Sequence, residues 1–200
     1  MVAFEKAQAR FNYRVAGVAI HNGRVLLDRN TRNNYWVLPG GHPDMMESMA
    51  VALRREMFEE IGANVEIIRL LWIIENFFYK DKPVHELSFY FLMEIDPDSP
   101  LLLSEGPFYG EEHGYQLVYQ WQPIEENALM KLPLFPGFLT TGLLELPDNP
   151  THIVFDDARD MPPRIGKKAK RPQTGQLPQV NLFGKSDGVP VGSDKKFNKA

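Results

Sequence analysis

The chain has 200 residues, 44% hydrophobic, 24% charged and 12% aromatic, which excludes collagen-like, coiled-coil and wholly disordered chains and suffices to bury a core without staples. It contains no cysteine, so thiol catalysis, thiolate metal sites and disulfide scaffolds are excluded, and a cytoplasmic location is the expectation. The net charge of −4 divides into 13 Lys and Arg against 24 Asp and Glu over residues 1–161, and 9 against 2 over residues 162–200, an acidic body with a basic tail.

The opening MVAFEKAQARF carries charges before any apolar stretch and does not read as a signal peptide. YRVAGVAI and RVLLD, joined by His21-Asn22-Gly23, predict a β-hairpin, because Asn-Gly supplies the positive φ values of a two-residue turn. Tyr35-Trp36-Val37-Leu38 predicts a short strand stopped by Pro39-Gly40-Gly41. Met46, Ala50, Leu53, Met57 and Ile61 then recur at helical spacing, and Gly62 supplies the stop. VEIIRLLWII and HELSFYFLMEI predict two further strands around a polar Asp81-Lys82-Pro83 turn. The first of these, broken by Glu66 and Arg69, falls far short of the roughly 20 apolar residues of a membrane helix. SEGPFYGEEHG reads as a lid or substrate loop before the strand QLVYQWQ. Residues 124–146 predict a short and then a longer helix, interrupted by Pro133 and Pro136, and THIVFD a last strand. The whole is a mixed α/β domain over residues 1–161. Residues 162–200, with five prolines and five glycines, predict a disordered basic tail. GKKAKRPQ within it is expected to solubilise rather than to contact nucleic acid.

The chain lacks the P-loop, dinucleotide-binding, zincin and serine-hydrolase motifs. What remains is GHPDMMESMAVALRREMFEEIGA, with Gly41, Glu47, Arg55, Glu56, Glu59, Glu60 and Gly62 at fixed intervals. At about 100° per residue, Glu56, Glu59 and Glu60 fall near 0°, −60° and 40°, sharing one face beside the apolar one. Three carboxylates in one turn repel each other, a cost that a hard cation turns into a gain. Mg²⁺ suits such a set because it takes carboxylate oxygens, keeps waters and bridges to phosphates. Arg55, four residues before Glu59, is placed to brace a carboxylate or reach a phosphate. Gly40 and Gly41 let the backbone turn sharply and approach closely.

Seven such positions, each matched by chance at roughly 5–7%, coincide on the order of once in 10⁹ starting points, so a merely solvated helix face does not account for them. The segment resembles the signature of the Nudix hydrolases, G-x5-E-x7-R-E-U-x-E-E-x-G-U, with U a bulky apolar residue. Every fixed residue is present, Met57 fills the first apolar slot, and the smaller Ala63 fills the last. The resemblance spans about residues 10–155 and implies an α/β/α sandwich with a mixed β-sheet. It also implies a divalent-metal-dependent attack of water on phosphorus in a nucleoside diphosphate linked to another group. Carried over by position, Glu56, Glu59 and Glu60 would hold Mg²⁺, or Mn²⁺ in its place, Arg55 would orient a glutamate, and Glu47 would assist the metal or stabilise the segment. Glu112 or Glu111 is the expected general base, with Glu60 as the fallback. Gly40, Gly41, Arg29, Glu86 and Phe78 are the expected substrate contacts.

The substrate class remains a nucleoside triphosphate, a nucleotide sugar or a relative of these. Homodimeric pairing, common in the family, is left open. The rival readings are a catalytically weak Nudix-fold nucleotide-binding or regulatory module, which loss of a signature glutamate would favour, and a nucleic-acid-binding protein driven by the tail, which would show strong salt dependence.

Overall fold

The computed structural model describes residues 3–6, 9–112 and 114–157, with side chains from residue 9 onward. The boundary at 161 and the basic tail lie outside these residues. In chain order the elements are β1 (Ala3–Lys6), β2 (Ala9–His21), β3 (Arg24–Asn30), α1 (Met49–Ile61), β4 (Val65–Tyr79), β5 (Pro83–Ile95), β6 (Phe108–Glu112), β7 (Tyr115–Pro123), α2 (Glu126–Leu129), α3 (Leu139–Gly142) and β8 (Thr151–Asp156).

One mixed sheet runs β6-β7-β3-β2-β5-β4-β8, with β1 added to β2. The pairs β2·β5 and β4·β8 are parallel, and the other neighbours are antiparallel. Strand alternation sends Val15 and Ala19 to one face and Ala16 and Val18 to the other. The first face packs on Ala52, Leu53 and Met57 of α1, the second on Leu129, Leu139 and Leu143 in and beside α2 and α3. Two apolar faces demand two covers, so the expected α/β/α layering is present, thick on the α1 side and thin on the other.

The Asn22-Gly23 turn has φ of 49° and 71°, as its residues predict. Beyond it β2 and β3 pair only at Ile20↔Val25 and His21↔Arg24, then part. The segment expected as a strand, Tyr35 to Leu38, enters this gap and makes only isolated bridges, Asp28↔Val37 and Trp36↔Leu134. Its backbone bonds go to a different neighbour at almost every step: Val37 exchanges bonds with Asp28, while Pro39 and Gly41 accept from Gly17 and Val15. Pro39 has no N–H to extend a ladder, and Gly40 turns at φ 140° where a side chain would meet the Val15 carbonyl. A wedge with changing partners is the outcome, not a strand.

Three other expectations change. The helix begins at Met49 rather than Met46, because Met46 is fully exposed with φ 68° and has no face to bury. The second half of the lid candidate is β6, hydrogen-bonded along β7 from Phe108↔Tyr119 to Glu112↔Tyr115. The longer helix after Pro133 shrinks to the four residues of α3, since Pro133 and Pro136 stop any earlier start and Leu134, Leu139 and Leu143 are drawn separately into the core. Among the described residues no helix is long and apolar enough to cross a membrane.

Candidate active site

The last three turns of α1 set the site. Periodicity places Leu53 and Met57 in the core, and Glu56 and Glu60, one turn apart, border that face and are buried, whereas Glu59 points outward. The helix ends at Gly62 in the left-handed conformation at φ 68°, its N–H closing on Met57 and Phe58 carbonyls. Beside it runs β6, where Gly110 lies so close to the Glu60 carbonyl that a Cβ could not fit. That contact brings Glu111 and Glu112 to the helix, and His42, Arg55, Glu56, Glu59, Glu60, Glu111 and Glu112 line one cavity of about 290 Å³.

Arg55 organises the carboxylates. It donates two bonds to Glu47, from Nε at 2.9 Å and Nη2 at 2.8 Å, and one from Nη1 to Glu59 at 3.1 Å. It also pairs with Glu56 at 3.1 Å and reaches the His42 carbonyl. Glu47 also accepts from the Asp44 backbone N–H, so the loop before α1 is tied down. The Arg55 bonds hold the Glu47 carboxyl below its usual range. Glu47 does not line the cavity and acts as a brace. A Cβ at Gly41 would overlap the Glu56 carboxylate, so a larger residue there would displace that side chain from its place in the cavity.

Glu60 and Glu112 also line a second cavity, about 530 Å³, with Arg14, Asp28, Gly40 and Lys80. Burial raises Glu60 to about 8 against the bond it accepts from the Tyr119 hydroxyl, and Asp28, Glu112 and Glu56 push it further up. Burial likewise raises Asp28 to about 7, opposed by Arg14. Glu56 rises too, through burial first and then Glu112 and Glu59, although Arg55 opposes the shift. Burial works against the Arg14 charge, but Glu86, Asp28 and Glu60 more than offset it. Asp28 Oδ1 is buried without a hydrogen-bond partner.

Crowded carboxylates of raised pKa are a donor set that a hard divalent cation relieves. Among the described residues no group of three or more His, Asp or Glu side chains is gathered so as to hold a metal ion by itself. The open arrangement fits an ion that takes one or two carboxylates and completes its sphere with water and phosphate.

A third cavity, about 170 Å³, shares Arg14 and Lys80 with the second and is lined also by Phe78 and Glu86. Arg29 is not among the residues lining these cavities. It lies 5.0 Å over the Trp36 ring, because alternation along β3 turns Asp28 and Asn30 to the cleft and Arg29 away. Arg32 lines the cleft instead. Glu105, from the lid candidate, pairs with Arg24 at a separate cavity. Arg14, Asp28 and Tyr119 were missed in the sequence. For Arg14 and Asp28 the available signal was an ionisable residue in an otherwise apolar strand, YRVAGVAI and RVLLD; Tyr119, in QLVYQWQ, carried no such signal.

A NUDIX domain model matches residues 12–137. The RNA pyrophosphohydrolase of Ruthia magnifica subsp. Calyptogena magnifica is 30% identical over 137 residues, 62% of this chain and 76% of that protein. The MutT NUDIX hydrolase structure from Burkholderia pseudomallei aligns with a TM-score of 0.46 at 22% identity, covering 67% of this chain and 95% of that one. A UDP-X diphosphatase structure aligns with a TM-score of 0.44 at 19% identity, covering 63% of this chain but only 55% of that one.

Proposed function

Because the chain belongs to the Nudix hydrolases, which act on acid anhydrides, we propose that it is a Mg²⁺-dependent pyrophosphohydrolase, with Mn²⁺ able to substitute, that cleaves a nucleoside diphosphate derivative. The substrate class is a nucleoside triphosphate, a nucleotide sugar or a related compound. The observation that carries this reading is that the carboxylate cavity shares Glu60 and Glu112 with a cleft lined by Arg14 and Lys80. Carboxylates repel a polyphosphate unless a cation intervenes, whereas two side-chain cations next to them attract it. The cytoplasmic placement rests on the cysteine-free composition and is read by fractionation.

Glu56, Glu59 and Glu60 are the set that would hold the ion, one or two of them ligating it directly and the others acting through its waters. When bound, it neutralises diphosphate charge and polarises the phosphoryl oxygen. Arg14 and Lys80 bind the phosphates on the far side of the cleft, which Gly40 also lines. Glu112, facing both cavities, accepts the proton of the water whose oxygen bonds to phosphorus as the anhydride P–O bond breaks. Arg55, held by Glu47, keeps Glu59 and Glu56 in place. Tyr119 fixes the rotamer of Glu60.

The test is phosphate and nucleotide release from nucleoside triphosphates, nucleotide sugars and dinucleotides, with Mg²⁺, with Mn²⁺ and with chelator. Release is expected to stop with chelator, return with Mg²⁺, and fall by orders of magnitude in Glu59→Gln or Glu60→Gln. Near-full activity in both variants would remove the metal assignment. Silence across the panel with nucleotide binding intact would establish the binding module instead.

A further inference from the structure

We propose that the inner end of the cleft is a guanine pocket in which Glu86 reads the base. The proposal rests on the nucleotide reading above and deepens it by naming the nucleoside. The three cavities adjoin through shared residues and can be ordered by chemistry: the first is lined by the carboxylates of α1 and β6, the second by Arg14 and Lys80 opposite Glu60 and Glu112, and the third by Glu86 and aromatic rings, with Arg14 and Lys80 at the border it shares with the second. An anhydride at the first, phosphates at the second and a base at the third match that order. The third cavity, about 170 Å³, has room for a planar ring and not for a whole nucleotide.

Its walls suit a ring. Phe78 and Phe135 meet edge to face at 4.9 Å and Tyr35 lies 5.3 Å from Phe135, so half-buried aromatic surface borders the space. Aromatic surface of this kind stacks on any base and does not choose among them. The choice falls to Glu86, which is buried at 7% exposure in a cavity where apolar side chains would have been cheaper. Its carboxylate is oriented from β2 and β5: Ser88 Oγ donates to Oε1 at 3.0 Å and Asn12 Nδ2 to Oε2 at 3.4 Å. Arg14, at the border of the same cavity, supplies the counter-charge that a buried carboxylate needs to stay ionised, and with two lone pairs on each oxygen one acceptor position on each remains beyond the bonds from Ser88 and Asn12.

An acceptor-only group with two parallel positions selects two adjacent donors. Guanine offers them at N1–H and N2–H. Adenine and cytosine each set a ring-nitrogen acceptor beside their amino donor, and uracil sets its N–H between two carbonyls, so each of these turns at least one lone pair toward the carboxylate. Repulsion there rejects them.

The experiment measures binding of GDP, IDP, ADP, UDP and CDP to the full chain with Mg²⁺ by calorimetry, and separately the hydrolysis of GDP- and ADP-linked sugars. GDP is expected to bind about tenfold or more tightly than IDP, which lacks only the N2 amino group, and than ADP. Glu86→Gln, whose amide offers one donor and one acceptor, is expected to erase the GDP preference and to favour ADP. Equal binding of GDP and IDP overturns the proposal, as does a base preference that survives Glu86→Gln, or affinity that follows the attached sugar instead of the base. The GDP and IDP comparison uses the unaltered chain and so decides even if the variant fails to fold. Hydrolysis without base preference removes only the guanine pocket. Guanine-selective binding without hydrolysis removes only the hydrolase reading.

Discussion

Arg55 engages Glu47, Glu56, Glu59 and the His42 carbonyl with one planar guanidinium, a geometry that the single ammonium of lysine cannot reproduce. The bidentate bond to Glu47 is well shielded, with the Glu47 side chain only 12% exposed. Glu47→Gln keeps the shape but removes the charge, and is expected to cost about 1–2 kcal/mol in urea unfolding, together with a fall in kcat as Glu59 loses its brace. The two candidate bases separate by strand alternation. Along β6 Glu112 turns inward and lines both cavities, whereas Glu111 is exposed at the rim. Glu112→Gln should lower kcat by about 10²–10⁴-fold, and Glu111→Gln by no more than a few-fold, as read from steady-state kinetics. Comparable losses in both would move the base elsewhere. The spacing in the sequence puts Glu56, Glu59 and Glu60 on neighbouring bearings but does not tell which are sunk and which face solvent. That depends on β6 and Tyr119, which arrive about 50 residues later in the chain.

At the scale of elements, two glycines separate conformational cost from collision. Gly62 ends α1 at φ 68° with nothing within 4 Å of a notional Cβ, so Gly62→Ala should cost only the left-handed backbone penalty, about 1 kcal/mol, measured by thermal or urea unfolding. Gly110 has an ordinary φ but sits against the Glu60 carbonyl. Gly110→Ala therefore should push β6 off α1 and carry Glu112 with it, lowering kcat as well as stability. A variant that lost stability alone would show that β6 can shift without disturbing the site. The Asn22-Gly23 hairpin and the Gly62 stop were legible because a turn or cap is decided by its own residues. The 35–38 wedge and β6 were not, because the first borrows its backbone hydrogen bonds from Asp28, Pro133 and Phe135, and the second from β7. A loop rich in glycine and glutamate becomes a strand when a neighbour supplies the ladder.

In the molecule as a whole, the thin layer opposite α1 is fastened by polar contacts as well as by packing. Asp157, just past β8, accepts from Asn76 Nδ2 at 2.7 Å and from the Gly137 backbone N–H at 3.0 Å, joining β4, the segment before α3 and the end of the sheet. Asp157→Ala leaves those donors without this acceptor and is expected to cost roughly 2–4 kcal/mol, seen as a lower urea midpoint. Asp157→Asn, which keeps an acceptor, should cost less. The sequence by itself determined the family, the helix that carries its glutamates, the tight turns and the two-sided apolar strands, since each depends on residues within one or two turns of each other or on simple alternation. The tertiary structure decided the rest. Arg14 from β2, Asp28 from β3, Glu86 from β5, Glu112 from β6 and Tyr119 from β7 become a single cleft only when the sheet order sets those strands side by side and the parting of β2 from β3 admits the wedge between them. Charge placement across strands is a long-range property, set by topology and burial, and no local pattern encodes it.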